Sequence, residues 1–144
     1  MMDIPLLQNV PAHTRQTRTW VEVVLPLAIR KTYTYSVPEI FWNKLKIGSR
    51  AEVVFGKNKK YAGIIKSVSK TAPPYETKDI LNIIDDEPVV YPQQLQLWHW
   101  ISEYYMCSEG EVMAAALPAH LKLSSETTLI FNDEFCEDFS GLDN

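Results

Sequence analysis

Hydrophobic and polar positions alternate along the first half of the chain, which is the period-2 pattern of strands with one buried face. The clearest example covers residues 48–68, where two alternating segments flank the turn sequence GKNKK. One face of the first segment carries Ala51, Val53 and Phe55. Gly56 and Asn58 suit a tight turn, because both residue types tolerate left-handed backbone angles. The pattern predicts a β-hairpin with lysines at its tip.

Similar alternation predicts further strands at residues 19–25, 32–37 and 80–84. Pro26 and Pro38 end the first two of these segments. Between the hairpin and the last segment, residues 71–78 contain two prolines and no apolar period, so they are predicted to form a loop or semi-rigid linker. We therefore expect an α+β, mainly β fold, in which residues 19–88 form a small antiparallel, barrel-like (OB-like) sheet.

Helical spacing replaces the alternation after residue 91. The stripe of one predicted helix, residues 92–106, consists of Leu95, Trp98, Ile101 and Tyr105, with Leu97 and Tyr104 beside it. Ser108 and Glu111 have the spacing of a capping box and predict a second helix at residues 109–117. We interpret the aromatic stripe as core. The alternative is a protein-interaction helix, and the exposure of Trp98 and Trp100 distinguishes the two.

The two ends of the chain lack a comparable pattern. Residues 1–18 are interpreted as a loose leader, and residues 132–144 as an acidic tail. One strand is predicted at residues 127–131, with no evident partner in the chain. It would either extend a sheet edge or begin a second domain that is truncated here.

Composition indicates a soluble globular protein, with 46% hydrophobic and 22% charged residues among 144. No apolar run reaches the length of a membrane span, and the start lacks a secretory signal, so we expect a cytoplasmic protein without membrane contact. Cys107 and Cys136 stand far apart and are expected to be ordinary thiols without a metal. No phosphate-binding loop, nucleophile motif or clustered histidines are present, so no catalytic residues and no cofactor are expected in this chain.

Charge is strongly segregated along the chain. Residues 15–70 contain 12 Lys and Arg against 3 acidic residues, whereas residues 71–144 contain 2 Lys against 14 acidic residues. In the basic half, aromatic residues are interleaved with cations. Tyr33 and Tyr35 follow Arg30 and Lys31, while Phe55 precedes the lysine turn and Tyr61 follows it. Stacking rings, cations for phosphate and a close backbone approach at glycine are the groups that hold a nucleotide. This predicts nucleic-acid binding, although tyrosines also favour strands for packing alone.

Four segments, taken in order, resemble the N-terminal region of the PriA family of primosomal replication-restart helicases. They are WVEVVLPLAIRKTYTYSVPE, IGSRAEVVFGKNKKYAGIIKSV, ILNIIDDEPVV and LWHWISEYYMCSEGEVMAAALP. The resemblance covers about residues 20–121. It implies a 3′-end DNA-binding domain over residues 19–121, followed at 122–144 by a linker and the first part of a truncated winged-helix domain.

The resemblance also implies function and site. In the family, this domain grips the 3′-terminal nucleotide of the nascent leading strand at stalled or branched forks. The implied pocket consists of Tyr33, Thr34, Tyr35, Gly56 and Lys78. Some members have an Asp at the position of Thr34, so base contact here would use an uncharged hydroxyl. Auxiliary phosphate contacts are expected from Arg30, Lys31, Lys57, Lys59 and Lys60.

By resemblance, the parent protein would be an ATP-dependent 3′–5′ DNA helicase that uses ATP, Mg and Zn, with other primosome proteins and single-strand-binding proteins as partners. The present chain would bind DNA and hydrolyse nothing. The alternatives are a general single-strand-binding barrel that is indifferent to ends and a protein-interaction module that uses the aromatic helix.

Overall fold

The computed structural model describes residues 18–123, where five antiparallel strands are followed by two helices. The strands are β1 (Thr19–Val24), β2 (Tyr33–Val37), β3 (Arg50–Phe55), β4 (Lys59–Ser69) and β5 (Asn82–Ile83). The helices are α1 (Pro92–Tyr105) and α2 (Glu109–Ala116), with short 3-10 helices at Glu39–Lys44 and Ala119–Leu121. The order of strands in the sheet is β2-β1-β4-β3-β5.

Residues 78–84 connect the two edges of this sheet. On one side, the backbone N–H of Ser36 in β2 donates to the carbonyl of Lys78 at 2.9 Å. On the other side, the N–H of Leu81 donates to the carbonyl of Glu52 in β3 at 2.8 Å. Because this short stretch, which contains β5, pairs with β3 and also contacts β2 at the opposite edge, the sheet curls into a half-barrel, and the predicted OB-like, mainly β class with a helical pair is confirmed.

Two hydrophobic clusters cover the two faces of the sheet. The first fills the barrel with residues that include Val21, Val23, Tyr35, Val53 and Ile65. The second joins the sheet to the helices and includes Val24, Ile64, Leu95, Trp98 and Met113. The helical pair sits close to the sheet at Gly110, where an added Cβ would lie 2.1 Å from the carbonyl oxygen of Leu27. A side chain at that position would push α2 away from the turn after β1.

A largely buried ion pair ties β3 to the segment after β5. Arg50 donates from Nε to Asp85 Oδ2 at 2.9 Å and from Nη2 to Oδ1 at 2.6 Å, and its backbone N–H also donates to Oδ2 at 3.0 Å. Both side chains are about nine-tenths buried, at 11% and 12% exposure. Burial opposes the charged form of Asp85, but the hydrogen bonds and charge of Arg50 outweigh it and hold the pKa of the carboxyl below its ordinary value.

Sequence patterns placed the elements within a few residues of their observed bounds. The strand expected at residues 80–84 shrinks to Asn82–Ile83, because Ile80 bonds to Ser36 of β2 instead of continuing the ladder with β3. The capping box at Ser108 is confirmed, since its Oγ accepts from the N–H of Glu111 at 3.2 Å. Several predictions concern residues outside the described range. They are the loose leader, of which only Arg18 is described, the strand at residues 127–131 and the start of a winged-helix domain.

The aromatic stripe on α1 is only partly core, which corrects the prediction. Leu95 and Trp98 are buried, whereas Trp100 is 55% and Tyr105 69% exposed. Leu97 and Tyr104, expected beside the core, are also exposed. Ser102 is the last buried residue of α1, so residues 103–105 extend past the packed part of the helix before the left-handed residue Met106 ends it.

Three further observations concern the described residues. No helix there is long and apolar enough to cross a membrane. Among the same residues, no group of three or more His, Cys, Asp or Glu side chains is placed to hold a metal ion, and Cys107 is a free thiol. The backbone N–H of Ala62 in β4 donates to the carbonyl of Leu123 at 2.8 Å, which fixes the end of the described region against the sheet.

Candidate nucleic-acid interface

A cavity of about 580 Å³ lies where β2, the β3–β4 turn and the segment before β5 meet. Its volume falls within the range of about 300–1,000 Å³ that is typical of small-molecule sites. Its lining includes Tyr33, Thr34, Tyr35, Gly56 and Lys78. All five residues that the resemblance assigned to the pocket are therefore brought to one cavity, although 43 positions separate Lys78 from Tyr35.

Lys78 reaches this cavity because of the strand pairing that closes the barrel. Its carbonyl accepts from Ser36 of β2, so its side chain is directed across the gap to the β3–β4 turn. There Nζ donates to the carbonyl of Gly56 at 2.8 Å. The bond joins two walls of the cavity at the protein surface.

Gly56 has a left-handed backbone with φ of +67°, which explains a glycine at this turn. A Cβ built on it would meet nothing within 4 Å. The glycine is therefore required by the backbone angle, and the space beside it is open to the cavity.

Tyr33 contributes an aromatic ring to the cavity wall. Its ring lies edge-on to Phe55, with centroids 4.9 Å apart at 70°, and Phe55 in turn lies edge-on to Tyr61 at 6.3 Å. Tyr33 is half-buried and packs against the barrel core, and its contact with Phe55 helps to hold the ring in the cavity wall.

Tyr35 has different surroundings from Tyr33. It is only 4% exposed, belongs to the barrel core and donates its hydroxyl to the carbonyl of Val54 at 3.3 Å. Burial, with a smaller effect of Tyr33, raises the pKa of Tyr35 to about 12. Tyr35 therefore supports the wall of the cavity from inside the core. Of the two tyrosine rings expected to stack on a base, only that of Tyr33 is partly exposed.

Thr34 is already paired within the site. Its Oγ1 accepts from the hydroxyl of Tyr75 at 3.0 Å, and Tyr75 is 59% exposed at the rim of the cavity. Sequence reasoning placed Tyr75 in a linker and missed it. The sequence did contain an aromatic residue three positions before Lys78. This spacing places Tyr75 at the cavity only because Lys78 pairs with β2, which the sequence pattern does not show.

The auxiliary cations are distributed around this cavity. Lys31 lines it together with Lys78. Arg30 lines a neighbouring cavity of about 420 Å³, whose wall also includes Lys31 and Tyr33. The remaining three, Lys57, Lys59 and Lys60, are exposed along the hairpin beyond Gly56, and Lys60 lies 3.4 Å from Glu52. Cations and aromatic side chains thus border an open space large enough for a nucleotide.

Comparison with known proteins gives one consistent result. The family described as the 3′DNA-binding domain (3′BD) of PriA matches residues 22–118. The chain is 32% identical over 114 residues to the replication restart protein PriA of Haemophilus influenzae, covering 78% of this chain and 15% of the relative. It is 31% identical over 119 residues to that of Buchnera aphidicola subsp. Acyrthosiphon pisum, covering 81% and 16%, respectively. The chain thus spans about a sixth of the length of these relatives.

Proposed function

This chain belongs to the PriA 3′ DNA-binding domain family, and from that premise we propose that its cavity takes up the 3′-terminal nucleotide of a DNA strand. The strand would be the nascent leading strand at a stalled or branched replication fork. In this proposal, the ring of Tyr33 stacks on the terminal base, and the amines of Lys31 and Lys78 attract its phosphate.

The observation that carries the end preference is the bond between Lys78 and Gly56. It links the two walls of the cavity at 2.8 Å, so an extended strand could not continue in that direction without breaking it. A terminal hydroxyl can instead stop there, facing an amine donor and a carbonyl acceptor. Thr34 supplies a second hydroxyl at the same wall, held by Tyr75.

The test compares three fluorescent single-stranded oligonucleotides of one sequence by anisotropy: one with a free 3′-hydroxyl, one with a 3′-phosphate and one closed into a circle. We expect the free hydroxyl to bind about tenfold more tightly, since one polar group left unpaired at the wall costs about 1–3 kcal/mol. Equal affinities for the three would contradict end recognition and favour a general single-strand binder.

The salt dependence of the same titrations serves as an internal check. Binding should weaken steadily with salt, because cations that neutralise phosphates release counterions. A module with few phosphate contacts should show a shallow slope of about −0.7 per contact for single strands. A steep slope would place most of the binding on the hairpin lysines rather than in the cavity.

For the protein that contains this domain, we propose the role of the curated relatives in replication restart. The domain would locate the DNA end without catalysing a reaction, while helicase activity, with its ATP, Mg and Zn, would reside elsewhere. Primosome proteins and single-strand-binding proteins would be partners of the whole protein in the cytoplasm.

A second candidate function is protein docking through α1, which the exposure of Trp100 favours. Its ring is 55% exposed and stacks on Tyr104 with centroids 5.2 Å apart at 20°. Tyr105 extends the same exposed group, edge-on to Tyr104 at 4.9 Å. If this helix binds protein only, Trp100→Ala should leave the affinity for DNA unchanged.

A further inference from the structure

A second cavity, of about 650 Å³, lies beside the first on the other side of Tyr75. Tyr75, Glu76 and Thr77 line both cavities, so these three residues form a low ridge between them. The second cavity also contains Arg18, Trp20 and two prolines. Nothing in the family's implied pocket uses this side of the ridge.

Trp20 lines this cavity from a strand that is paired on both sides. Its backbone pairs with Ser36 of β2 on one side and with Ser69 of β4 on the other. The residue is half-buried, whereas Val21 and Val23 of the same strand are buried. An aromatic side chain on a backbone fixed in this way can stack on a base.

Tyr75 is also held in position rather than free. Its hydroxyl donates to Thr34 across the first cavity, while 59% of the residue remains exposed. Two aromatic rings and the guanidinium of Arg18 thus border a single space next to the candidate terminal-nucleotide site. Arg can pair with phosphate in a forked geometry and can also stack on rings.

The cavity on the Lys31 side of the first is less suited to a phosphate. This cavity of about 420 Å³ contains Lys66 and His99, but both contact Glu109 Oε1, at 2.6 and 2.7 Å. Glu109 therefore already pairs with two of the basic groups on that side, and a DNA phosphate would compete with it.

We propose that the cavity beside Tyr75 binds the penultimate nucleotide of the DNA strand, with Trp20 and Tyr75 as stacking surfaces and Arg18 as the phosphate contact. This proposal rests on the proposed function, because it places the second nucleotide relative to the terminal one. The strand would cross the ridge at Tyr75 and leave the domain along the start of β1. Glu76 on the ridge would repel phosphate and so keep the backbone on the Arg18 side.

The test uses the full chain and three ligands with a free 3′-hydroxyl: a tetranucleotide, the same tetranucleotide with an abasic penultimate position, and a single nucleoside 5′-phosphate. For the wild type, the abasic position should weaken binding about tenfold, since one stacked base contributes about 1–3 kcal/mol. Trp20→Ala should weaken binding of the tetranucleotide by a similar factor and leave binding of the single nucleotide unchanged. Once the penultimate base is absent, Trp20→Ala should have no further effect.

Trp100→Ala is the matched control, because it removes an exposed tryptophan that lines neither cavity. Glu76→Gln should strengthen tetranucleotide binding several-fold through the lost repulsion. If Trp20→Ala does not fold, the abasic comparison with wild-type protein still decides the matter. Unchanged binding of the abasic tetranucleotide would overturn the proposal, whereas loss of the preference for a 3′-hydroxyl would overturn the proposed function first.

Discussion

Two regions contain basic side chains with different partners. One is the β3–β5 seam, where Arg50 of β3 meets Asp85 after β5, and the other is the rim of the first cavity, where Lys78 lies. At the seam, Arg50 meets a carboxylate through two side-chain hydrogen bonds, and both groups are about nine-tenths buried. At the rim, Lys78 is exposed and donates to the neutral carbonyl of Gly56. The positive charge is cancelled locally at the seam but not by this bond at the rim.

This difference separates stability from binding. An ion pair that is largely withdrawn from water leaves an uncompensated charge when one member is removed, so the seam should matter for folding. A solvated amine next to a cavity contributes little to folding but attracts phosphate. Lys66 lines a cavity, but like Arg50 it is paired with a carboxylate, Glu109, at 2.6 Å. Partner chemistry, rather than position in a cavity, indicates which cations remain for a ligand.

The largest effect is expected for Arg50→Ala. It leaves Asp85 without its two side-chain hydrogen bonds and also removes a donor to the carbonyl of Leu121 at 3.3 Å. We expect the free energy of unfolding to fall by about 3–5 kcal/mol, as for other broken buried pairs. Chemical denaturation measures this directly. A loss below about 1 kcal/mol would mean that the seam behaves as an ordinary surface pair.

Lys78→Met should produce the opposite profile. The free energy of unfolding should change by less than about 0.5 kcal/mol, as for most surface substitutions. Affinity for a 3′-hydroxyl oligonucleotide should fall about tenfold, and the salt slope should become shallower by about 0.7, because one phosphate contact is lost. The control is Lys46→Met. The amine of Lys46 pairs with Glu87 at a distance of 2.7 Å and does not line the cavity, so this variant should leave DNA affinity unchanged. Equal losses for the two variants would show that bulk charge, not the rim, attracts DNA.

The smallest effect concerns the pH dependence of the seam. Since Arg50 holds the pKa of Asp85 below its ordinary value, the pair contributes stability above the unfolded pKa of about 3.9 and loses it as pH falls through the lower folded pKa. Denaturation of wild type and Asp85→Asn should therefore differ by a constant amount near neutral pH. The difference should shrink below about pH 4. A difference that is independent of pH down to 2 would contradict the role of the charge.

The sequence was sufficient to predict those features that depend on local periodicity. Alternation located four of the strands, and the spacing of Ser108 and Glu111 located the start of α2. It was insufficient where long-range pairing decides the outcome. Lys78 is the last residue of the predicted proline-containing linker, which has no apolar period, and only its pairing with β2 directs its amine to Gly56. Family resemblance, rather than periodicity, pointed to it.

Aromatic residues show the same division. Tyr33 and Tyr35 share one face of β2, and that pattern could not indicate that one ring lies in the core while the other borders a cavity. Tyr105 has the spacing of a core residue, but the helix extends past its packing partners, so its ring is exposed. Periodicity gives the face of an element, whereas exposure depends on where the covering element ends.

The bond between Ala62 and Leu123 fills a gap beside β4. The β1 ladder reaches only as far as Ile64, so Ala62 has Glu52 of β3 on one side and no β1 residue on the other. The carbonyl of Leu123 takes that place. A chain that ended before residue 123 would leave the amide of Ala62 without this acceptor.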